Sequence, residues 1–340
     1  MKVVTTYPLD RFPANLMEIA KTNTSYVLHI WDVCDSDYIY SLQNLQNPPK
    51  YIVNDSLNFI QLASGVCYGS NFWLEKKIQN FITIPYDSTL TTDSIFNFVI
   101  NKKQINRHLC LKLIELFKLS DYKYTWSGIS PEFDMSKIIE ELNSLGDNFP
   151  LSGPHRSAIL GSIDIKSNFI ERPGNLRNDS SVVHQGLPWW TWSNGINSIV
   201  ARTAISLITE SVRYDHAMTF SEKTLFSVLG LTFPIWIGGY KQAEEWKRTG
   251  FDTFDDVINH DYQYFDTLIE RCYYAFQYNL ELLTNKNKVS LLRKKHKERL
   301  MYNRHLILNK QINKFNDLET RLWPEDLQRS ILPTLINLFR

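Results

Sequence analysis

The chain has 340 residues, enough for two ordinary domains or for one large domain. Apolar residues account for 43% of it, aromatic residues for 13% and charged residues for 21%, which excludes extended disorder. The formal net charge is +1, but the stretch from Lys286 to Arg304 holds eight Lys or Arg and a single acid, so the rest of the chain is mildly acidic.

Four cysteines are scattered without the spacing of a zinc site: Cys34, Cys67, Cys110 and Cys272. We expect reduced thiols and a reducing compartment. No apolar run reaches the roughly 20 residues that cross a bilayer, and the first residues lack the apolar region of a signal peptide. The expectation is a soluble protein of the cytoplasm, the host cytoplasm if the chain is viral, with no membrane partner.

The first part of the chain alternates β-like runs with amphipathic stretches. Residues 25–32, 50–54 and 80–87 are rich in β-branched and aromatic side chains and end in polar ones, which predicts strands. Residues 101–119 repeat apolar side chains at helical spacing. This alternation favours an α/β fold with a parallel sheet, and we place a first domain at 1–120.

A second domain is predicted at 121–285, with a helix over 135–146 whose terminal glycine suits a C-cap. The turn-rich stretch 167–195 has no sustained period and is interpreted as an irregular loop of the kind that often carries a site. Its segment LPWWTWSNG contains three tryptophans, Trp190 among them. They would either stack a sugar or a base, or seal an edge of the core.

The segment LSGPHRSAIL predicts a helix start with cations in its first turn. Pro154 fits the first helical position and Ser152 fits the cap, which leaves His155 and Arg156 in the first turn. Cations there oppose the helix dipole, whereas a bound phosphate would favour them. Alternatively, Arg156 is a solvated surface residue.

The segment TFSEKTLFSVLG shows the same feature. Thr219 and Glu222 fit a capping box, which by itself would explain the carboxylate. Lys223 opposes the dipole and is easier to explain if the helix start binds an anion. The next segment, FPIWIGG, predicts a buried strand that ends at Gly238 and Gly239, where a backbone can approach a ligand closely.

The last part of the chain is predicted to be helical, with a helix over 261–285 and a basic tail over 286–340. Its basic stretch is either a solvated face or a surface for a DNA backbone. The side chains proposed for DNA are Arg293, Lys294, Lys295 and Lys297.

The run SEKTLFSVLGLTFPIWIGGYKQAEEWKRTGFDTFDDVINHDYQ resembles the carboxyl-terminal half of glycosyltransferases found in phages and large DNA viruses, and its Glu-Lys, Pro and Gly core is similar to that of fucosyltransferase-like enzymes. The resemblance covers roughly residues 150–285. The matching residues are Glu222, Lys223, Pro234, Gly238, Gly250, Phe251, Phe254, Asp256 and Tyr262, with His155, Arg156 and Glu210 upstream. The chain departs from the pattern at Thr219, where those enzymes tend to have an aromatic residue.

The resemblance implies the GT-B architecture, with two Rossmann-like domains facing a cleft. The helical tail lies outside the resemblance, and we expect it to pack back on the first domain. The resemblance also implies a UDP-linked or GDP-linked sugar donor, with Arg156 and Lys223 on the diphosphate and Glu222 on hydroxyl groups. The full implied donor set is His155, Arg156, Glu210, Ser221, Glu222, Lys223, Gly238 and Gly239. No metal or other cofactor is required, since Arg, Lys and helix starts stabilise the leaving diphosphate.

Transfer with inversion also needs a base from the first domain. Asp32, at the end of a predicted strand, is the first candidate, followed by Asp35 and Asp55, although each also suits a turn or a cap. The sequence DSD at 35–37 has the D-x-D pattern of metal sites, a pattern that is also frequent by chance.

The expected activity is glycosyl transfer to an acceptor hydroxyl. The leading acceptor is a 5-hydroxymethylated pyrimidine in phage DNA, modified with a glucose-type or arabinose-type sugar after the base has been flipped from the duplex. One alternative is a transferase acting on a glycan or a protein. Another is a Rossmann-like protein that binds nucleic acid or a partner without catalysis.

Overall fold

A computed structural model describes the protein, and its contacts divide the chain into two compact units. The first contains Met1–Asn80, Ser211–Ser221 and Ile307–Arg340, and the second contains Phe81–Glu210 and Glu222–Leu306. The described residues are 2–6, 21–22, 26–30, 45–54, 60–62, 65–69, 89–100, 104–125, 135–151, 153–161, 200–210, 220, 222–248, 250–308, 325 and 329.

The described strands of the first unit form a sheet with the order β1-β2-β3-β5-β4. Its strands are β1 (Lys2–Thr6), β2 (Tyr26–Ile30), β3 (Tyr51–Asn54), β4 (Ile60–Leu62) and β5 (Gly65–Gly69). All neighbours are parallel except β4 and β5. The strands predicted at 25–32 and 50–54 are therefore confirmed, and the one predicted at 80–87 lies outside the described residues.

The second unit contains a parallel sheet with the strand order β7-β6-β8-β9. Its strands are β6 (Ser94–Val99), β7 (Tyr122–Thr125), β8 (Thr203–Ile208) and β9 (Phe233–Trp236). Every residue of β6, β8 and β9 is buried, which is typical of a parallel sheet covered on both faces. The chain thus has a Rossmann-like α/β fold, as expected.

Helices of the second unit connect and cover this sheet. They are α1 (Ile105–Leu116), α2 (Ser136–Ser144), α3 (Pro154–Leu160), α4 (Glu222–Leu229), α5 (Gln242–Arg248), a 3-10 turn (Asp261–Tyr264), α6 (Leu268–Tyr278), α7 (Leu280–Thr284), α8 (Lys286–Lys295) and α9 (Lys297–Leu308). The single helix predicted over 261–285 is thus three elements. Among the described residues, no helix is both long and apolar enough to span a bilayer.

The two units divide the chain differently from the predicted domains. The helix predicted over 101–119 was assigned to the first domain, but α1 belongs to the second unit. The basic residues from Lys286 onward were assigned to a separate tail, yet they also belong to the second unit as far as Leu306. Local sequence patterns do not reveal this grouping, because it depends on contacts between distant segments.

The side chain of Arg293 closes the amino edge of the second sheet. This residue of α8 is fully buried, and its guanidinium donates to the carbonyls of Thr91 at 3.1 Å, Leu231 at 2.9 Å and Gly230 at 3.0 Å. It also donates to the carbonyl of Ala201. These carbonyls precede β6, β8 and β9, so one planar side chain satisfies acceptors at the start of three strands.

This position corrects the DNA-binding prediction for Arg293, since a fully buried guanidinium that bonds to carbonyls cannot reach a DNA phosphate. Arg304 is also buried and donates to the Leu229 carbonyl. Lys294 and Lys295 are exposed, whereas Lys297 is half-buried. Much of the basic character of this stretch therefore serves the fold.

The turn GFDTFDD, part of the family-like motif, is held by α9. Arg299 forms a two-pronged pair with the Asp252 carboxylate at 2.5 and 2.9 Å. Asn303 accepts from the Asp252 backbone N–H and donates to its carbonyl, at 2.8 and 2.7 Å. Phe254 has a φ of +61°, which is rare for a bulky residue, and its N–H donates to the Asp252 carboxylate at 2.8 Å. These motif residues stabilise the turn.

We expect Arg293→Met to lower the free energy of unfolding of the second unit by about 3 kcal/mol or more, because it leaves buried carbonyls without donors. Arg293→Lys should not restore stability, since an ammonium group lacks the planar fork. Urea unfolding followed by circular dichroism measures both. The matched control is Lys294→Met on the exposed face of α8, and equal unfolding midpoints for the two Met variants would contradict the role of Arg293.

Candidate functional site

The carboxyl edge of the second sheet contains a topological switch point. The chain leaves β6 for β7 on one side and then forms β8 on the other side of β6. In open α/β sheets, ligands bind outside the carboxyl ends of the strands at such a point. Asn106 lies in the first turn of α1 and links the segments that follow β8 and β9. Its Nδ2 donates to the Glu210 carbonyl at 2.9 Å and lies 3.5 Å from the Ile237 carbonyl.

A buried charged cluster lies at this edge. Glu210, just beyond β8, is 1% exposed, and its Oε2 lies 4.0 Å from the Nζ of Lys223. The hydroxyl of Thr224 donates to Oε1 of the same carboxylate at 2.7 Å. The indole N–H of Trp236, the last residue of β9, donates to the Thr224 hydroxyl at 3.1 Å. The end of β8, the start of α4 and the end of β9 thus meet in one polar cluster.

Glu210 and Lys223 were both predicted at the donor site, and the structure brings them together. Burying two opposite charges costs solvation energy that their attraction offsets only in part. The pair therefore does not make the fold more stable than two apolar side chains at the same place would. A buried ammonium group at a ligand-binding edge is, however, able to bind a phosphate or carboxylate strongly.

Several buried oxygens at this edge lack hydrogen-bond partners among the described residues. They are Oε1 of Gln104, Oδ1 of Asn106 and Oγ1 of Thr209. All three residues flank the carboxyl ends of β6 and β8. A buried polar atom without a partner costs about 1–3 kcal/mol, and such costs are typical of sites where a ligand completes the hydrogen bonding.

Sequence reasoning missed Arg107 and Asn106, which lie in the first turn of α1. Arg107 is 3% exposed, and this first turn has no acidic residue and no side-chain cap. A cation in the first turn of a helix after a strand is the same signal that identified Lys223. It is present in the segment INRHLC, but the expected helix start lay several residues earlier, which placed Arg107 in the helix interior.

The two cations predicted to bind the diphosphate have different protein partners. Lys223 lies beside Glu210, whereas Arg156 on α3 donates to the side chain of Asn143 on α2. His155 is exposed. Pro154 does begin α3, as predicted, but the cap is Gly153, with no side-chain cap bond, instead of Ser152. A helix of only seven residues also has a weak dipole.

The double glycine has a packing role beside the predicted one. Gly238 has a φ of +86°, and a Cβ there would lie 2.6 Å from Cδ1 of Leu268 and 3.3 Å from Sγ of Cys272. A Cβ on Gly239 would meet the side chain of Gln242 at 1.7 Å. The place that a Cβ would take at each glycine is therefore filled by protein side chains, which gives both glycines a packing reason. Their part in binding a sugar donor stays a prediction.

Other predicted site residues lie outside the described residues. These are Asp32, Asp35, Asp55, Trp190 and Ser221, together with the side chain of Glu222. In the part of the chain that the structure describes, no three His, Cys, Asp or Glu side chains are grouped to hold a metal. Cys110 and Cys272 are buried free thiols, and burial raises the pKa of both.

A pocket of about 450 Å³ lies beside α5 and the turn after it. Its acidic lining residues are Glu244, Asp255, Asp256 and Asp261. Lys247 pairs with Asp255 at 2.6 Å. His260 donates from Nε2 to the Thr253 carbonyl at 3.0 Å, and burial lowers its pKa, so the ring stays neutral. A diphosphate would meet net negative charge in this pocket, which favours the Glu210 edge for an anionic ligand.

We expect Gly238→Ala to destabilise the second unit by about 2 kcal/mol or more, because it combines an unfavourable φ with a clash against Leu268. The matched control is Gly146→Ala. Gly146 has a φ of +71°, and a Cβ there would meet nothing within 4 Å, so this variant measures the cost of the backbone conformation alone. Thermal unfolding compares the two variants. Equal melting temperatures would show that Gly238 is not needed for packing.

Comparison with known proteins adds no further information about this site. No family model, no curated protein and no solved structure matches the chain. The functional assignment therefore depends on the residues and geometry described above.

Proposed function

We propose that the carboxyl edge of the second sheet binds the diphosphate of a nucleotide-sugar, and that the protein is a glycosyltransferase. The observation that carries this proposal is the buried pair of Glu210 and Lys223 at the switch point. Helix α4 begins beside Lys223, so its amino end adds to the positive potential there.

The chemistry of glycosyl transfer suits this arrangement. As the bond from the sugar to the diphosphate breaks, negative charge develops on the leaving group and must be stabilised. Lys223 would supply one fixed charge, and Arg107 in the first turn of α1 would supply a second near the same edge. The oxygens of Asn106 and Thr209, which have no partner in the part of the chain that the structure describes, would accept hydrogen bonds from ribose or sugar hydroxyls.

The GT-B architecture and the catalytic base are part of the proposal. Each unit has its own sheet of mostly parallel strands, as two Rossmann-like domains require. Asp32, Asp35 and Asp55 remain the proposed bases, with Asp32 first because it follows β2 closely. The resemblance to viral glycosyltransferases supports a UDP-linked or GDP-linked donor.

The position of the basic helix restricts the choice of acceptor. The basic helix α8 lies along the amino edge, where Lys286 pairs with Asp121 at 3.3 Å and Arg293 bonds to strand-start carbonyls. Strands of this sheet are up to six residues long, so this edge lies roughly 20 Å from the carboxyl edge. DNA held on α8 would therefore not place a flipped base beside Lys223, which favours an acceptor that does not depend on this helix.

We expect UDP or GDP to bind the wild-type protein, and Lys223→Met to weaken that binding by about 10- to 100-fold through loss of a charged hydrogen bond. Titration calorimetry measures the affinity, and circular dichroism checks that the variant is folded. Lys294→Met, the same change at the far edge, is the control and should bind normally. If neither nucleotide binds the wild type, the transferase proposal is wrong and the non-catalytic alternative gains support.

The acceptor is tested with a panel of nucleotide-sugars and DNA that contains hydroxymethylcytosine, analysed by mass spectrometry of the nucleosides. A mass increase equal to one hexose or pentose on the modified base would establish a DNA acceptor. We expect the triple variant Lys294→Ala, Lys295→Ala, Lys297→Ala to retain full activity on whichever acceptor is found, because the end of α8 and the adjoining start of α9 follow Arg293 at the opposite edge. A large loss of activity on DNA alone would show that this basic stretch does bind the acceptor.

A further inference from the structure

The pocket beside α5 has walls that are rich in carboxylates. Its volume of about 450 Å³ is in the range of sites that hold a small organic molecule. Glu244 of α5 and Asp261 of the 3-10 turn line it, together with Asp255 and Asp256 of the segment between them. Lys247 is the one Lys or Arg among the described lining residues. Carboxylates therefore outnumber cations on these walls, which disfavours an anionic ligand.

Two of these carboxylates already have cationic partners within the protein. The Lys247 ammonium donates to Asp255 at 2.6 Å, and the Thr253 hydroxyl donates to the other oxygen of the same carboxylate at 2.5 Å. The two oxygens of Asp256 each lie 2.8 Å from a different guanidinium nitrogen of Arg299. The charges of Asp255 and Asp256 are thus balanced by the fold itself.

The other two carboxylates have no cationic partner among the described residues. Glu244 accepts the hydroxyl of Tyr264 at 3.1 Å, and Asp261 has neither an ion pair nor a hydrogen bond to its carboxylate in this part of the chain. Burial raises the pKa of the Tyr264 phenol, and the negative charges of Glu244 and Asp261 add to the shift. The hydroxyl is therefore neutral, and the two carboxylates keep unmatched negative charge beside the same side chain.

His260 adds an acceptor to the pocket wall. Its Nε2 lies 3.0 Å from the Thr253 carbonyl, and because a carbonyl cannot donate, Nε2 carries the hydrogen of the ring. Burial lowers the pKa of the imidazole, so the ring is neutral and has a lone pair on Nδ1. Nδ1 is buried and has no hydrogen-bond partner in the part of the chain that the structure describes. A ligand that donates at this wall would supply the missing bond.

Tyr264 offers a third kind of contact that suits a cation. Its side chain is 53% exposed, and the ammonium group of Lys241 lies 5.6 Å from the centroid of its ring. That distance is within the range of cation–π attraction. Within the described chain, Lys241 forms no ion pair with Glu244 or Asp261. The ring thus attracts an ammonium group while the nearby carboxylates remain unmatched.

We propose that this pocket is a second ligand site, which binds a small organic molecule with a primary ammonium group. An ammonium group has three N–H donors and a positive charge, which complement two unmatched carboxylates and the Nδ1 acceptor of His260. A bare metal ion fits less well, because no three His, Cys, Asp or Glu side chains are grouped to hold one in the described part of the chain. The ligand is separate from a nucleotide-sugar, since none of these residues belongs to the cluster of Glu210 and Lys223.

The test is titration calorimetry of the full chain with cadaverine, a diamine, and with 1,5-pentanediol, its neutral analogue. We expect cadaverine to bind with a Kd below about 10 mM and the diol not to bind. Asp261→Asn and Glu244→Gln remove the unmatched charges with little change in shape, and each should weaken binding about three- to fivefold. The matched control is Glu140→Gln, at an exposed carboxylate of α2 that does not line the pocket, and it should leave the affinity unchanged.

A third probe, Nα-acetyl-lysine amide, distinguishes a free amine from a lysine side chain of a protein partner. Binding of cadaverine that is tighter than binding of the lysine derivative supports a small-molecule ligand. The reverse order contradicts it and indicates that the pocket takes a lysine of another protein.

Nitrogen NMR of the histidine side chains locates the bound amine. The Nδ1 resonance of His260 is identified by its absence in His260→Asn, and saturation with cadaverine should shift it because Nδ1 gains a donor. The proposal is overturned by an unchanged Nδ1 resonance, by equal binding of the amine and the diol, or by no binding of cadaverine to the wild type. Wild-type affinity in the double variant Asp261→Asn, Glu244→Gln would overturn it as well.

Discussion

The structure of the second unit depends on how the backbone groups at the ends of its parallel strands find hydrogen-bond partners. All strands of this sheet run in one direction, so the backbone groups that begin the strands meet at one edge and those that end them meet at the other. At the amino edge, Arg293 donates to carbonyls before three strands and closes the edge with protein groups. At the carboxyl edge, buried oxygens of Asn106 and Thr209 remain without partners among the described residues. This asymmetry locates the candidate site.

Residues of the family-like motif serve two physical purposes. Asp252 and Phe254 stabilise a turn, and Gly238 allows close packing, as any protein with this backbone path would need. Glu210 and Lys223 are different, because a buried pair of charges costs solvation energy that an apolar pair would not. A chemical purpose is the simplest reason to keep such a pair at the edge where open α/β sheets generally bind ligands. The resemblance to glycosyltransferases stays a prediction, and Glu210 and Lys223 are the motif residues for which it offers a chemical reason.

Local patterns in the sequence predicted several elements closely. The strands at 26–30 and 51–54 and the helix at 105–116 follow from β-branched runs and helical periodicity, which are properties of neighbouring residues. The site was predicted only in part. Lys223 was recognised because a cation in the first turn of a helix is unfavourable, whereas Arg107 was missed because the start of its helix was placed too early. The basic stretch was misjudged at Arg293, since burial depends on contacts far away in the chain.

The sequence by itself determined the α/β class, the position of most elements in the second unit, and the presence of an unusual Glu-Lys pair at a helix start. Those features depend on local periodicity and on the chemistry of a few adjacent residues. Only the tertiary structure decided which charged side chains are buried and at which edge of the second sheet each one lies. Glu210 and Trp236 are separated along the chain from Thr224 by 14 and 12 residues, and the parallel strand pairing brings all three together. The same pairing places Arg293 against strand starts, where a basic residue becomes part of the core.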